Sequence, residues 1–254
     1  MFAEERKEEI VKILKNKNSI TVEELTNKFS VSKATIRNDL NELENKDFLK
    51  RTHGGAISNH FLENVSNHNE RKSLNKHEKD KIGKKAIELI SNDDVIFLDS
   101  GTTTYQVAKY IKGFVNLTII TNDIHIINLL VTSEGVNIIA IGGRVNKQNL
   151  SIVSRNSEFF INNYNVSKIF LGVSGFTLNE GITAPNEKIA GIKKKMIESS
   201  QKVIAICDSS KFGKAAFAKV CDLKEIDTLL TDKGIPKEYS DFLKEKGIQV
   251  IITD

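Results

Sequence analysis

Cysteine, long apolar runs and net charge are all scarce in this sequence of 254 residues. The two cysteines, Cys207 and Cys221, have no metal-ligand spacing, and so low a content is typical of a chain in a reducing compartment. No apolar run approaches the roughly 18 residues that a membrane span requires, and the N-terminus lacks a signal-peptide pattern. We therefore expect a soluble, cytoplasmic protein with no membrane association, metal site or cofactor.

Net charge says little about the partners of this chain. The formal charge is +4, and residues 1–60 contain 11 Lys and Arg against 10 Asp and Glu. Any attraction to an anionic polymer must therefore come from local clusters of cations. The length leaves room for one small domain of about 60 residues and a second domain of ordinary size.

Residues 19–57 carry the pattern of two short helices, a turn and a small hairpin. Thr21 and Glu24 fit a capping box at the start of the first helix, and Ser32 is placed to cap the second. An earlier helix over roughly 4–16 has apolar residues to cover both. The apolar positions at helical spacing are Val22, Leu25, Phe29, Ile36, Leu40 and Leu43. This order predicts a winged helix-turn-helix in residues 1–58, which places one helix in the DNA major groove.

The polar face of the second helix and the following hairpin suit contact with DNA. The residue types on the helix donate and accept hydrogen bonds to phosphates and base edges. Phe48–Arg51 predicts a strand, His53–Gly55 a turn that needs the backbone freedom of glycine, and Ala56–Ile57 a return strand. A small helical core with a solvated face would show part of this pattern, but the local cluster of basic residues favours DNA. The predicted contacts to double-stranded operator DNA are Ser32, Lys33, Thr35, Arg37, Asn38, Lys50, Arg51, His53 and Gly54.

From residue 76 onward, strand and helix patterns alternate. Apolar runs predict strands near 95–98, 117–121, 136–141, 168–171, 203–206, 228–230 and 249–252. Helical patterns lie near 76–91, 103–112, 123–132, 186–199 and 236–246. This alternation predicts a mostly parallel sheet with helices on both faces over residues 76–254. The stretch 59–75 is rich in Asn, Ser and His, lacks periodicity, and is predicted to be a linker.

Glycine-rich or polar loops follow five of the predicted strands. The sharpest is DSGTTT at residues 99–104, which follows a strand and opens a helix. Its small residues let backbone N–H groups approach an anion, and the helix N-terminus adds its dipole. Because ligands of open α/β sheets bind at the carboxyl ends of strands, these loops predict one cleft for a phosphorylated small molecule. The candidate contacts are Asp99, Ser100, Gly101, Thr102, Thr103, Thr104, Asn122, Asp123, Gly142, Gly143, Arg144, Gly172, Ser174, Gly175 and Lys211.

Both parts of the chain resemble the DeoR-type family of bacterial transcriptional repressors. SKATIRNDL at 32–40 is similar to the recognition helix of that family, and RTHGGAI at 51–57 is similar to its wing. The motifs DSGTTT, TND, IGGR, FLGVSG and DSSKFG resemble its sensor domain in order and spacing. The resemblance implies a two-domain α+β chain whose α/β sensor is similar in fold to sugar-phosphate isomerases. It also implies a phosphorylated-sugar effector that releases DNA, and a homodimer or homotetramer.

One position departs from the pattern of that family. Its recognition helix usually has two consecutive arginines, whereas here Asn38 follows Arg37. Asn pairs bidentately with adenine, while Arg prefers guanine or phosphate. The DNA-binding role is therefore expected, with a sequence preference that the family pattern does not supply.

An isomerase-like enzyme fused to a DNA-binding domain is the alternative. A sugar-phosphate isomerase needs a carboxylate placed to move a proton between neighbouring carbons. Isomerases of the similar fold carry acidic residues in the loop that corresponds to 173–177, and this chain has none there. Asp99, Asp123 and Asp208 follow strands, but they equally suit helix starts and hydrogen bonds to sugar hydroxyls. We therefore expect a transcription regulator without catalytic residues.

Overall fold

The structure is a computed structural model that describes residues 2–17, 19–46, 48–52, 54–58, 68–147 and 149–254. Its contacts divide the chain into two compact units, residues 1–66 and 67–254. The division lies within the predicted linker. No helix in the described ranges is long and apolar enough to cross a membrane.

The first unit contains three helices and a three-stranded antiparallel sheet of order β1-β3-β2. Its elements are α1 (Ala3–Lys17), β1 (Ser19–Thr21), α2 (Val22–Phe29), α3 (Lys33–Asn45), β2 (Leu49–Thr52) and β3 (Gly55–Ser58). An aliphatic core joins them, formed by Ile10, Leu14, Ile20, Leu25, Ile36, Leu40, Leu43, Leu49 and Ala56. The predicted helices and hairpin are confirmed. Strand β1 was not predicted, because three residues carry too little periodicity.

The helices of the first unit begin where the capping residues predicted. Thr21 Oγ1 accepts from Glu24 N at 3.1 Å, and Glu24 Oε2 accepts from Thr21 N at 2.8 Å, so the capping box is complete. Ser32 Oγ accepts from Thr35 N at 3.1 Å at the start of α3. These bonds satisfy N–H groups that have no partner within the helix. They therefore set which side chains of α3 point outward.

Gly55 is required by close packing and not by the geometry of a turn. A Cβ at this position would lie 2.1 Å from the carbonyl oxygen of Ile20 in β1. Neither Gly54 nor Gly55 has a positive φ. The missing side chain of Gly55 lets β1 approach β3.

The second unit is an α/β fold whose elements include all the predicted strands. Its strands are β4 (Val95–Leu98), β5 (Leu117–Thr121), β6 (Val136–Ala140), β7 (Val145–Asn146), β8 (Ser151–Ile152), β9 (Lys168–Gly172), β10 (Gly175–Thr177), β11 (Gly181–Ala184), β12 (Val203–Ile206), β13 (Ala218–Cys221), β14 (Thr228–Asp232) and β15 (Gln249–Thr253). The main sheet has the order β15-β14-β12-β9-β4-β5-β6, and every neighbouring pair is parallel. The small sheets β7-β8 and β10-β11-β13 were not predicted, because their strands are too short for a clear pattern.

The helices of this unit include two that the sequence did not predict. The helices of the unit are α4 (His68–Ser73), α5 (Lys76–Ala86), α6 (Thr102–Tyr110), α7 (Ile124–Leu130), α8 (Arg155–Ile161), α9 (Glu187–Glu198) and α10 (Lys237–Glu245), of which α4 and α8 were not predicted. Helices α4 and α8 are short and lack a sustained apolar stripe. Helix α4 lies within the stretch 59–75, and residues 68–75 belong to the second unit.

Apolar layers cover both faces of the main sheet. Side chains of successive strand residues alternate between the layers: Ile96 and Leu98 join one cluster and Phe97 joins the other. Strands buried on both faces are near-continuous apolar runs in the sequence. This is why each of the seven strands was visible before the structure.

The strand order reverses direction once, between β4 and β9. From β4 the chain continues through β5 to β6 at one edge, and from β9 it continues through β12 and β14 to β15 at the other. Strands β4 and β9 are hydrogen-bonded neighbours. In such sheets a crevice for ligands opens at this switch point, beyond the carboxyl ends of the strands.

Candidate functional sites

Helix α3 has a buried apolar face and an exposed polar face. Ile36 and Leu40 are fully buried, whereas Lys33, Arg37 and Asn38 are exposed. Three of the predicted DNA contacts therefore share one accessible surface. A recognition helix needs this arrangement, because its side chains must reach base edges and phosphates.

The other predicted DNA contacts serve partly as supports. The hydroxyls of Ser32 and Thr35 lie 2.9 Å apart in the cap of α3. The Arg51 guanidinium contacts Asn41 Oδ1 on α3, and Arg51 N donates to a Glu44 carboxylate oxygen at 2.8 Å, so this residue ties β2 to α3. Gly54 is exposed. His53 and the side chain of Lys50 lie outside the described residues.

A buried ion pair holds α3 against α1. Arg6 Nε and Nη2 donate to the two carboxylate oxygens of Asp39 at 2.6 and 3.0 Å, and both residues are less than 8% exposed. The hydrogen bonds that the guanidinium donates to Asp39 raise the pKa of Arg6. A bidentate pair of this kind fixes orientation as well as distance. Sequence reasoning missed it, although Asp39 stands on the same helical face as Ile36 and Leu43.

The loop after β4 presents backbone donors at the switch point. Gly101 is the N-cap of α6, and among the described residues no side chain caps this helix. Tyr105 N makes the first bond of the helix, to Gly101 O at 2.9 Å, so the N–H groups of Thr102, Thr103 and Thr104 precede it. The start of a nine-residue helix thus carries unsatisfied donors and the positive end of the helix dipole.

Asp99, at the end of β4, is held by the protein itself. Its Oδ2 accepts from Gly172 N at 2.9 Å and contacts Lys193 Nζ, which also donates to Gly172 O at 2.8 Å. Asp99 and Lys193 are 1% and 3% exposed. The pair therefore joins β4, β9 and α9 across the switch point. Sequence reasoning missed Lys193, because it lies in a run of three lysines on an amphipathic helix.

The end of β5 provides a second buried carboxylate and a buried amide. Asp123 accepts from two N–H groups of α7 at 2.8 and 3.2 Å and from Gly101 N at 3.1 Å. Burial raises the pKa of Asp123 to about 6, although these hydrogen bonds act in the opposite direction. Asn122 Nδ2 donates to Ile152 O at 3.1 Å, while Asn122 Oδ1 is buried with no hydrogen-bond partner in the described part of the chain.

The end of β12 brings a third carboxylate to the same edge. Asp208 Oδ1 accepts from Asn75 Nδ2 at 2.6 Å and from Ser210, and Oδ2 lies 3.9 Å from Lys79 Nζ. Burial would raise the pKa of this carboxyl, but the Ser210 hydrogen bond and the charges of Lys211 and Lys79 hold it below its usual value. Lys211 is half-buried and acts electrostatically on both Asp208 and Lys79.

Two cations lie near this edge. Arg71 lies in the stretch that was predicted to be a linker, and Lys79 lies just after it. Lys79 Nζ donates to the carbonyls of Arg71 and Leu74, each at 2.6 Å. Burial lowers the pKa of Lys79 to about 8, and the Asp208 charge opposes this shift. Burial also lowers the pKa of the Arg71 guanidinium, which the Asp123 carboxylate opposes. No apolar period in this stretch signals either residue.

Several predicted contacts are explained by packing. A Cβ on Gly143 would lie 2.4 Å from Ser154 Oγ, and one on Gly175, the first residue of β10, would lie 2.5 Å from Lys214 O. Gly142, Gly143 and Arg144 are exposed and follow β6, the outermost strand. The structure thus brings together the loops after β4, β5, β9 and β12 but places residues 142–144 at the sheet edge. Ser100 and Ser174 are half-buried in the loops that follow β4 and β9.

The cysteines and histidines offer no metal site within the described residues. No group of three or more His, Cys, Asp or Glu side chains there lies close enough to hold an ion. Cys207 and Cys221 are free and buried, and burial raises the pKa of both thiols. His60 lies outside the described residues.

Comparisons with known proteins agree with this arrangement. The family described as "DeoR-like helix-turn-helix domain" matches residues 6–61, and the family described as "DeoR C terminal sensor domain" matches residues 74–233. The chain is 34% identical over 250 residues to a "Putative aga operon transcriptional repressor" of Escherichia coli O157:H7, covering 98% of this chain and 93% of that protein. It is also 34% identical over 254 residues to the "HTH-type transcriptional repressor GlcR" of Bacillus subtilis (strain 168), covering 100% and 98%.

A solved structure of ribose 5-phosphate isomerase A from Methanocaldococcus jannaschii superposes with a TM-score of 0.40 and 15% identity, covering 54% of this chain and 55% of that one. So distant a likeness decides nothing about activity. The two full-length relatives are named as transcriptional repressors, one of them putative, and neither name describes an isomerase, so the comparisons favour a transcription regulator over a fused isomerase. With a DeoR-like helix-turn-helix, a DeoR sensor domain and relatives matched along its whole length, the chain belongs to the DeoR family of DNA-binding transcription regulators.

Proposed function

We propose that this protein represses a sugar-metabolism operon and leaves its operator when a phosphorylated sugar binds the second unit. The names of two full-length relatives, a putative aga operon repressor and the repressor GlcR, support repression. The observation that carries the effector is the uncapped start of α6 at the switch point of the sheet. Phosphate carries about −1.5 to −2 charges at neutral pH, and a helix N-terminus is a ready site for it.

The proposed contacts divide by chemistry. Backbone N–H groups of residues 102–104 bind the phosphate, and Lys211 adds a positive charge from the loop after β12. Asn122 Oδ1, buried without a partner among the described residues, accepts a hydrogen bond from a sugar hydroxyl. Asp99 is engaged in its ion pair with Lys193 and helps to hold the loop in place. In this proposal it does not contact the sugar.

The same proposal extends to the DNA complex. Two or four protomers place α3 in successive major grooves, so half-sites lie about 10 base pairs or a multiple apart. Lys33, Arg37 and Asn38 contact bases and phosphates, and residues 50–54 contact the backbone or the minor groove. The effector lowers DNA affinity to the extent that it binds the DNA-free arrangement more tightly. Operator DNA and phosphorylated sugars occur together in the cytoplasm, where we place the protein.

The test uses the full chain, an operator selected from random duplexes, and fluorescence anisotropy. The probes are glucose 6-phosphate, glucosamine 6-phosphate, fructose 6-phosphate and fructose 1-phosphate, each paired with its unphosphorylated sugar. One phosphorylated probe should weaken DNA binding about tenfold or more and raise the melting temperature, within the usual range of allosteric coupling. Lys211→Met should blunt this response, whereas Lys214→Met, at an exposed neighbouring lysine, should not. If no phosphorylated probe changed either quantity, the proposed effector class would be wrong.

A further inference from the structure

The segment through which the chain enters the second unit is fastened to the proposed effector edge. Asn75, whose backbone is left-handed with a φ of 49°, donates Nδ2 to Asp208 Oδ1 at 2.6 Å. Lys79 Nζ lies 3.9 Å from the other oxygen of the same carboxylate. Both contacts end at the residue that follows β12. The start of the second unit is therefore tied to a strand end that faces the switch-point cleft.

The buried ammonium group of Lys79 holds this segment through hydrogen bonds. The residue is 2% exposed, and its ammonium donates at 2.6 Å to the carbonyls of Arg71 and Leu74, at the end of α4 and just beyond it. A buried ammonium is tolerated only where hydrogen bonds replace its water. Lys79 uses two of its three donors on the backbone of one short segment. Lys79 thus ties the end of α4 to α5 through one buried side chain.

Helix α4 in turn places a cation beside the phosphate loop. The Arg71 guanidinium interacts electrostatically with the Asp123 carboxylate, which accepts a hydrogen bond from Gly101 N at the start of α6. The next residue, Lys72, has its Nζ 5.0 Å from the ring centroid of Tyr105, also on α6. Lys72 of α4 thus faces α6, and the neighbouring Arg71 carries a charge that acts on the carboxylate bound to the start of α6.

We propose that Arg71 is a ligand of the anionic group of the effector, and that the segment from Arg71 to Lys79 carries occupancy of the cleft to the DNA-binding unit. This inference rests on the proposed function. A phosphate at the start of α6 competes with Asp123 for the guanidinium, whose planar donors match phosphate bidentately. Because Arg71 and Asn75 lie in one short segment, a displacement of Arg71 changes the contacts that Asn75 and Lys79 make.

The experiment measures release of the selected operator by the four sugar phosphates and by inorganic phosphate, using the full chain. Arg71→Met should raise the probe concentration for half-release about tenfold or more, as expected for the loss of a bidentate charge contact, and Arg71→Lys should lie between it and wild type. Asn75→Gly, which keeps the left-handed backbone favourable, and Lys79→Met should reduce the extent of release at saturating probe to less than about threefold. Lys84→Met, at an exposed lysine of α5, is the matched control and should respond like wild type.

Each result decides one question. Wild-type half-release by Arg71→Met, or full release by both Asn75→Gly and Lys79→Met, overturns the inference and leaves the proposed function intact. If Lys79→Met unfolds, Asn75→Gly alone decides the second part, because it removes a single partly exposed hydrogen bond. If the wild-type protein is not released by any probe and phosphate does not raise its melting temperature, the proposed function fails and this inference fails with it.

Discussion

The two units place their buried ion pairs differently with respect to their functional surfaces. In the first unit the Arg6–Asp39 pair lies behind α3, and Lys33, Arg37 and Asn38 project from the opposite face of the helix. In the second unit the Asp99–Lys193 pair lies at the proposed effector edge, between the ends of β4 and β9. Support and contact are thus separated in the DNA-binding unit and mixed in the sensor unit.

The size of the ligand explains this difference. Duplex DNA approaches from outside, so side chains that read it can remain in solvent while the opposite helix face is buried. A small anion must be surrounded, so its site is made of backbone N–H groups and buried polar side chains that each need their own partners. A motif in a sensor domain therefore contains residues that hold the site together as well as residues that touch the ligand.

The largest effect is expected from breaking the ion pair of the sensor. Lys193→Met leaves Asp99 buried without its cation and should lower the free energy of unfolding of the second unit by about 3–5 kcal/mol. Lys195→Met removes an exposed partner of Glu198 on the same helix and should cost less than about 1 kcal/mol. Urea unfolding followed by circular dichroism measures both. Equal losses in the two variants would show that the buried pair is not a support.

A smaller effect is expected from the raised pKa of Asp123, which should make the free energy of unfolding depend on pH. Its folded-state pKa of about 6 lies above the value of about 3.9 expected in the unfolded chain, so ionisation opposes folding between these values. Relative to Asp123→Asn, the wild-type protein should lose up to about 3 kcal/mol of stability as the pH rises from about 4 to 6, and nothing further above 6. Urea midpoints of both proteins across this range provide the check. A constant difference would mean that the Asp123 pKa is not raised.

Substituting Arg37 tests whether the exposed face of α3 contacts DNA. Arg37→Ala should weaken operator binding by about 1–3 kcal/mol, roughly fivefold to 150-fold, because one DNA contact is lost. Its exposed position predicts no change in unfolding free energy beyond about 0.5 kcal/mol. Lys12→Ala, at an exposed site on α1, is the control in the same anisotropy assay. Normal operator binding by Arg37→Ala would contradict the assignment of α3 as the recognition helix.

The smallest effects concern helix caps, which follow the same local rule in both units. Ser32→Ala and Asn186→Ala each remove a side chain that accepts an N–H bond at a helix start, and each should cost about 1 kcal/mol of stability. Only Ser32→Ala should also weaken DNA binding, because it frays α3 next to Lys33. Thermal unfolding and anisotropy separate the two outcomes. Equal effects of both variants on DNA affinity would show that the cap of α3 has no particular role in DNA binding.

Local patterns were sufficient where one short stretch decides the structure. Val95–Leu98 is a strand because it is a continuous apolar run, and α2 starts at Val22 because Thr21 and Glu24 complete a capping box. They failed where a distant residue decides. Helix α4 has no apolar stripe and is held by Lys79, and Gly55 is required by the approach of Ile20. In neither case does the stretch itself carry the signal.

The sequence by itself determined the two units, the capped recognition helix, the parallel strands and the family, because these depend on periodicity, capping and contiguous motifs. Only the tertiary structure decided which motif residues are supports. Asp99 stands in the sharpest motif of the chain, yet its partner Lys193 is 94 positions away. Burial and partners of a charged side chain depend on contacts between distant segments. For that reason the burial and partners of Asp99 and Asp123 emerged only with the fold.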